Sequence, residues 1–260
     1  MIPGLKKELE DKANSKKAKI LQKFFKTGPG EYGEGDVFLG VAVPETREIA
    51  RKYSTLKLED AVKLLHSKIH EERLVALFIL INKFRLGEEK STIYKTYLKN
   101  TKYINNWDLV DLSAEKIVGE YLFNKPKAVL YKLAKSKSVW EKRIAIMATF
   151  NFIKNNKFEE TLKIAEILLN DKQDLIHKAV GWMLREIGKR DLKIEEEFLG
   201  RYYTRMPRTM LRYAIEKFPE KKRKQYLLKA KRTSPSSLPQ LKLRWVKKRF
   251  ISSTLRFCKS

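Results

Sequence analysis

Arg73-Leu74-Val75-Ala76-Leu77 is the first of five related segments that recur along this chain at intervals of 35, 35, 35 and 34 residues. The other four are Asp108-Leu-Val-Asp111-Leu112, Arg143-Ile-Ala-Ile146-Met147, Lys178-Ala-Val-Gly181-Trp182 and Arg212-Tyr-Ala-Ile215-Glu216. In most units an apolar helical stretch precedes the segment, as in Ala61-Val62-Lys63-Leu64-Leu65. Each unit is therefore predicted to form two antiparallel helices and a turn. The fold expected is an all-α solenoid of HEAT-like repeats with a concave basic face.

Composition favours a polyanionic partner. The chain has 260 residues, of which 43% are hydrophobic, and this is enough to bury a substantial core. Its formal net charge of +26 favours nucleic acid over a membrane surface. The longest apolar runs fall well short of the roughly 18 residues that a membrane span needs, so no membrane association is expected. The single cysteine, Cys258, excludes an internal disulfide framework and fits a reducing cytosol.

The repeat pattern stops near residue 228. Residues 229–260 contain ten Lys or Arg and no Asp or Glu, together with prolines and several serines. We therefore expect residues 1–228 to form a single HEAT-like-repeat domain. The remaining residues form a basic C-terminal extension whose composition is compatible with disorder.

Two positions depart from the repeat pattern. Asp111 occupies the place where the other segments have Ala76, Ile146, Gly181 and Ile215. A carboxylate in such a row costs folding free energy unless it has a partner or faces water. Asp111 is therefore either a functional residue or a structural one whose carboxylate is paired with a neighbouring Arg or Lys. Trp182 likewise replaces smaller apolar residues, and core packing is its simplest explanation.

Trp107 and Asp111 are four residues apart, which places both side chains on one face of a helix. An aromatic ring beside a carboxylate on a basic scaffold suggests a protein that meets nucleic acid and acts on it. Basic residues also recur at the repeat spacing, and they include Lys142, Arg143, Lys178, Arg185 and Arg212. Along an inner surface they would follow a phosphate backbone, and Lys178 is predicted to bind DNA on this basis.

Two other motifs carry weaker signals. Gly28-Pro-Gly30-Glu-Tyr-Gly33 fits G-x-G-x-x-G, but it follows a helical stretch, and nearby acidic residues would repel a pyrophosphate. Thr27 to Asp36 is therefore predicted to be a glycine-rich loop between two helices. His66 and His70 have the i, i+4 spacing of a metal site, yet no third ligand is apparent, so they are predicted to lie on a solvated helix face. Neither a cofactor nor a metal is expected.

Five separated blocks occur in order along the chain. They are Phe24-Phe-Lys-Thr-Gly-Pro-Gly-Glu-Tyr-Gly-Glu-Gly-Asp-Val-Phe-Leu-Gly-Val41 with Val43-Pro44, Asn106-Trp-Asp-Leu-Val-Asp111, Trp140-Glu-Lys-Arg-Ile-Ala-Ile146, His177-Lys-Ala-Val-Gly-Trp-Met-Leu-Arg-Glu186 and Met206-Pro-Arg-Thr-Met-Leu-Arg-Tyr-Ala-Ile215. Together they resemble the AlkD family of DNA alkylation repair enzymes, which are HEAT-like-repeat DNA glycosylases. The resemblance covers about residues 15–228.

The resemblance implies roles for individual residues. Asp111 matches the catalytic aspartate of the family, and Trp107 and Trp182 match its two site tryptophans. Arg143 matches an arginine that contacts the DNA backbone near the lesion. Arg185 and Arg47 lie where the family has further DNA-facing basic residues.

The function implied is excision of cationic N3- and N7-alkylated purines from duplex DNA, in base excision repair. The alternatives are a non-catalytic HEAT-like protein that binds nucleic acid, and a scaffold for an acidic protein partner. A monomer is expected, because one concave face suffices to hold a duplex. The expected location is the cytoplasm, with nucleoid association through DNA.

Overall fold

The computed structural model describes residues 1–87 and 89–232, and within them the chain forms short helices joined by turns. Three helices precede the repeats: α1 (Ile2–Asp11), α2 (Ser15–Phe24) and α3 (Val43–Lys52). Two helix pairs follow, α4 (Leu58–Leu65) with α5 (His70–Arg85) and α6 (Lys90–Lys99) with α7 (Trp107–Ala114). A π-helical turn at Glu115–Gly119 continues α7 into α8 (Glu120–Leu122). The remaining helices are α9 (Ala128–Ala134), α10 (Val139–Ala148), α11 (Phe150–Lys154), α12 (Glu159–Ile167), α13 (Asp174–Gly188), α14 (Leu192–Tyr202), α15 (Arg208–Ala214) and α16 (Glu220–Arg232).

The helices pair as the sequence period predicts. The five recurring segments lie on α5, α7, α10 and α13 and at the end of α15, which are the second helices of their pairs. Consecutive second helices pack directly on one another along the chain. We call these five helices the inner layer, because in solenoids the second helices usually line the concave surface. The prediction of an all-α fold of HEAT-like repeats is confirmed.

The fourth residue of each recurring segment faces a neighbouring helix. Ala76, Ile146 and Ile215 are fully buried there. At Gly181 a Cβ atom would collide with the carbonyl oxygen of Met210, so glycine allows α13 and α15 to approach closely. Asp111 therefore stands in a row that is otherwise apolar or empty of side chain.

Side-chain caps fix the starts of the two inner helices that matter most for the site. The Asn106 side-chain oxygen accepts a hydrogen bond from the backbone nitrogen of Trp107 at 2.8 Å, where α7 begins. The Ser138 hydroxyl accepts one from the backbone nitrogen of Glu141 at the start of α10. Each cap satisfies a backbone donor that has no partner inside its helix, and so defines the first turn.

The predicted domain boundary at residue 228 lies within a helix. Helix α16 continues across residue 228, and residues 233–260 lie outside the described part of the chain. The division of the chain at residue 228 therefore stays a prediction, as does the character of the basic extension. None of the helices within the described residues combines the length and apolar composition needed to span a bilayer.

Glu195 in α14 is a buried carboxyl group. Its side chain is 1% exposed, and within the described residues its Oε1 atom has no hydrogen-bond partner. The other oxygen fills the space that a Cβ atom at Gly188 would need. Burial raises the pKa of Glu195 to about 8, the charge of Glu196 adds to this effect, and Arg185 opposes it. At neutral pH the folded protein therefore holds this carboxyl mainly in its protonated form.

We predict that Glu195→Gln stabilises the protein at alkaline pH. The pKa of Glu195 is higher in the folded than in the unfolded chain, so the wild-type fold loses stability as pH rises from about 4.5 to about 8. Glutamine cannot ionise, so the variant should exceed the wild type by about 2 kcal/mol or more at pH 9 and by little at pH 5. Urea unfolding at both pH values measures the difference. The exposed neighbour offers a control, Glu197→Gln, which should show no such dependence; equal stabilities at pH 9 would contradict the prediction.

Candidate active site

Asp111 is paired with an arginine from the next repeat. The Arg143 guanidinium donates from Nε to Asp111 Oδ1 and from Nη2 to Oδ2, both at 2.8 Å. Its third nitrogen, Nη1, donates to the backbone oxygen of Leu175 at 2.5 Å. One guanidinium thus ties α7, α10 and α13 together. Such a bidentate pair fixes the carboxylate in both position and plane.

The pair is largely withdrawn from water. The Asp111 side chain is 12% exposed and that of Arg143 is 6% exposed. Burial raises the pKa of Asp111 above its ordinary value, while the charge and hydrogen bonds of Arg143 oppose the shift and Asp108 adds to it. A partly dehydrated carboxylate interacts with other charges more strongly than one in bulk water. Asp111 is therefore a hydrogen-bond acceptor that is fixed in position and largely shielded from water.

Trp107 lies at the start of α7 against aromatic residues from the N-terminal part of the chain. Its ring stacks on Phe25 with centroids 5.0 Å apart and meets Phe24 edge-on at 5.8 Å. Its side chain also acts on the Tyr32 hydroxyl: burial raises the pKa of Tyr32, and the interaction with Trp107 opposes this shift. The Tyr32 ring in turn meets Trp140 edge-on at 5.9 Å. The orientation of Trp107 is thus set by the connection between α2 and α3. This connection includes Thr27 to Asp36, the segment predicted to be a glycine-rich loop.

A buried polar network holds this loop on the inner layer. Asp36 Oδ1 accepts a hydrogen bond from Arg73 Nη2 at 2.7 Å. Its Oδ2 atom accepts from Asn106 Nδ2 at 3.2 Å and is also 3.2 Å from His70 Nδ1. On the other side of the ring, His70 Nε2 is 2.8 Å from Asp108 Oδ2. The network joins the loop to α5 and to the first turn of α7.

The prediction that His66 and His70 share a solvated face is wrong for His70. Its side chain is 2% exposed and lies between Asp36 and Asp108. His66 is exposed and stacks on Tyr103. The loop before α3 folds back over the first turn of α5 and covers the charged residues His70 to Arg73. In the sequence such a charged run indicates an exposed helix face, which explains the wrong prediction.

Trp182 has partners of its own on α11 and α13. Its ring neighbours Phe150, with centroids 6.1 Å apart, and its indole N–H donates to Glu186 Oε1 at 3.1 Å. The structure therefore joins Asp111 directly to Arg143 and places Trp107 one turn before Asp111 on α7. Trp182 lies on α13, where Glu186 holds its indole nitrogen.

The residues predicted to bind DNA differ in how far they are engaged within the protein. Lys178 is 40% exposed and pairs with Asp174 at 2.6 Å. Arg185 pairs with Glu216, and Arg47 lies over the Phe78 ring with its guanidinium carbon 4.9 Å from the centroid. Arg143 is the most buried, as described above. DNA contacts by these four residues stay predictions.

Several site residues were not singled out from the sequence. Asp36 contacts both His70 and Asn106, and Tyr32 meets Trp140 edge-on, but the partners in each contact lie far apart in the chain. The Asp36–Asn106 contact, for example, joins residues separated by 70 positions. The one local signal in the sequence is the acidic glycine-rich stretch, and by itself it argues only against phosphate binding.

These features define the class of protein: an all-α solenoid of HEAT-like repeats whose inner layer carries a carboxylate, an arginine and a tryptophan in one cluster. The profile of the family described as DNA alkylation repair enzyme matches residues 5–218, and the chain belongs to this family. The resemblance seen in the sequence is thereby confirmed. Family membership gives the protein a role in DNA repair, as an enzyme whose substrate is DNA.

A solved structure shares the fold. It is titled a predicted DNA alkylation repair enzyme from Enterococcus faecalis, and it superposes with a TM-score of 0.62 at 16% sequence identity. The similarity covers 80% of this chain and 98% of that one. Among curated proteins, none matches the sequence.

We predict that Arg143→Met destabilises the fold by about 3 kcal/mol or more, because it leaves the Asp111 charge buried without its partner. The double variant Arg143→Met/Asp111→Asn should recover part of this loss. Lys63→Met serves as the control, since it breaks an exposed pair with Asp60 and should change stability far less. Thermal and urea unfolding of the variants give these differences. A loss for Arg143→Met no larger than that for Lys63→Met would contradict the prediction.

Proposed function

We propose that this protein is a DNA glycosylase that hydrolyses the N-glycosidic bond of cationic N3- and N7-alkylated purines in duplex DNA. The observation that carries the proposal is the Asp111 carboxylate, which Arg143 fixes by two hydrogen bonds and whose side chain is 12% exposed. Trp107 lies on the same face of α7, one turn away. A fixed carboxylate beside an aromatic ring suits a reaction in which positive charge develops on a sugar.

The proposed reaction needs little acid catalysis. Alkylation at N3 or N7 leaves the purine with a positive charge, so the base departs as a neutral group when it takes the electron pair of the C1′–N bond. The positive charge then appears on the deoxyribose as an oxocarbenium ion. Asp111 stabilises this charge, and water adds to C1′ while losing a proton to the carboxylate or to solvent.

Arg143 affects the carboxylate in two ways. It favours the ionised form of Asp111, and it holds the two oxygens in a defined plane. Each oxygen gives one lone pair to Arg143 and keeps another. The attraction that Asp111 exerts over a distance is weakened by the arginine charge. Asp111 therefore stabilises chiefly a positive charge that touches the carboxylate, as the oxocarbenium ion does in the proposed mechanism.

Trp107 and Trp182 flank the deoxyribose in this proposal. An indole face favours a nearby cation by about 0.5–2 kcal/mol, so the aspartate contributes more than either ring. Trp107 approaches from α7, supported by its stack on Phe25. Trp182 approaches from α13, where Glu186 holds its indole nitrogen. The two rings come from different helices of the inner layer, which fits a substrate that lies along this layer rather than one that enters a closed pocket.

One observation favours a non-catalytic alternative. Arg143 already satisfies both oxygens of Asp111, and this is what a purely structural ion pair between repeats would need. In that case the protein would bind nucleic acid through its basic residues and would leave the glycosidic bond intact.

Asp111→Asn should abolish excision while leaving DNA binding in place. Because the variant removes the charge that stabilises the oxocarbenium ion, we expect release of N7-methylguanine and N3-methyladenine from methylated duplex DNA to fall by about 100-fold or more. A matched control is Asp11→Asn, which makes the same change in net charge at an exposed residue of α1 and should keep near wild-type release. Absence of release by the wild-type protein, with binding intact, would favour the non-catalytic alternative.

Lys178→Ala should weaken binding of duplex DNA about equally for all sequences. If Lys178 neutralises one phosphate, the slope of log affinity against log salt concentration should fall by about one unit. Lys163→Ala is a close control, because Lys163 also pairs with an acidic residue four positions away, but it does so on α12, a first helix. Fluorescence anisotropy at several salt concentrations measures both slopes. The same small effect for both variants would argue against a contact at Lys178.

A further inference from the structure

The rings between His70 and Trp107 form a continuous column. His70 stacks on Phe38 with ring centroids 4.3 Å apart, Phe38 stacks on Phe25 at 5.0 Å, and Phe25 stacks on Trp107 at 5.0 Å. Interplanar angles of 22°, 19° and 18° keep the rings nearly parallel. With Ala18 and Leu21, the two phenylalanines form a small apolar cluster separate from the main core. Phe25 also lies 5.3 Å from the His70 ring, so the imidazole and the indole are linked through Phe25 directly as well as by way of Phe38.

The imidazole at the base of this column is clamped by two carboxylates. Asp36 faces Nδ1 from the loop, and Asp108 faces Nε2 from α7. A doubly protonated imidazole donates to both, whereas a neutral one has a single N–H and can donate to only one. Loss of the second proton therefore breaks one of these two bonds, either to the loop or to the start of α7, although Arg73 and Asn106 still hold Asp36. Asp108 directly follows Trp107, so loss of the bond to Asp108 acts on the indole from the backbone as well.

The charges around His70 favour its protonated form. Burial alone would lower its pKa, but the charge and hydrogen bond of Asp108 and the hydrogen bond of Asp36 raise it to about 9, against a smaller opposing effect of Arg73. Burial alone would likewise raise the pKa of Asp36, yet its bonds to His70 and the charge of Arg73 hold it below its ordinary value. Both carboxylates therefore face an imidazolium at neutral pH.

We propose that His70, clamped between Asp36 and Asp108, is a positioning residue that sets the orientation of Trp107 in the active site. The effect on excision rests on the proposed glycosylase function, whereas the effect on the indole does not. His70 itself does not contact the substrate. It acts through the ring column and through the first turn of α7.

The experiment follows Trp107 and excision in parallel as pH is raised. The indole N–H signal of Trp107, assigned with Trp107→Phe, is recorded by NMR in the protein without DNA from pH 6 to 10. We expect its chemical shift to change with a midpoint near the pKa of His70, about 9. The kcat for release of N7-methylguanine should fall with the same midpoint, while KM changes little. A role confined to stability would shift the unfolding curve but would leave the indole of the folded protein unaffected.

Asp36→Asn provides the decisive variant, because it removes one of the two charges that face His70 and keeps the shape of the side chain. The midpoint of both titrations should move down by about one pH unit or more. His66→Gln is the control, since it removes an exposed histidine four residues away and should leave both midpoints unchanged. A Trp107 signal that ignores the titration of His70 in the wild type, or a midpoint unmoved in Asp36→Asn, would overturn the proposal. If the wild type releases no base, the proposed function fails, and the NMR titration still decides the role of His70.

Discussion

The ion pair between Asp111 and Arg143 is the interaction on which the inner layer depends. A carboxylate in the buried row of a helical repeat would destabilise the fold if it stood alone. Arg143 removes that penalty with two hydrogen bonds, and through Leu175 it extends the connection to a third helix. Three consecutive repeats are therefore aligned by one guanidinium. The alignment also fixes the carboxylate relative to Trp107, so the same contact serves stability and the geometry of the proposed site.

A second charged contact holds α7 from the other side. Asp108, three residues before Asp111, bonds to His70 of α5, while Asp111 bonds to Arg143 of α10. The first turn of α7 is thus fastened to both neighbouring inner helices. The Asn106 cap adds a third constraint at the same point. Trp107 stands where these contacts converge, which explains how an indole that packs mainly against a loop can still have a defined orientation.

The sequence predicted the architecture well because a solenoid repeats its pattern. The 35-residue interval gave the helix pairs, and the spacing of Trp107 and Asp111 gave their common face. The register also made Asp111 conspicuous and left two explanations open, a functional carboxylate or one satisfied by a basic neighbour. The structure supplies the neighbour, Arg143, without removing the first explanation. His70 was placed wrongly because its partners, Asp36 and Asp108, lie 34 and 38 residues away in the chain. Local periodicity carries no information about a loop that folds back over a helix start.

The charge pairs have a further consequence for a chain whose net charge is +26. A surface this basic attracts the DNA backbone, but it also repels a cationic base or sugar. Around α7 the local balance differs, because three carboxylates, Asp36, Asp108 and Asp111, face three basic side chains, His70, Arg73 and Arg143. Under the proposed function, the two electrostatic tasks are therefore separated in space. Exposed lysines such as Lys178 would hold the phosphates, while the paired carboxylates would keep the site close to neutral until positive charge develops against Asp111.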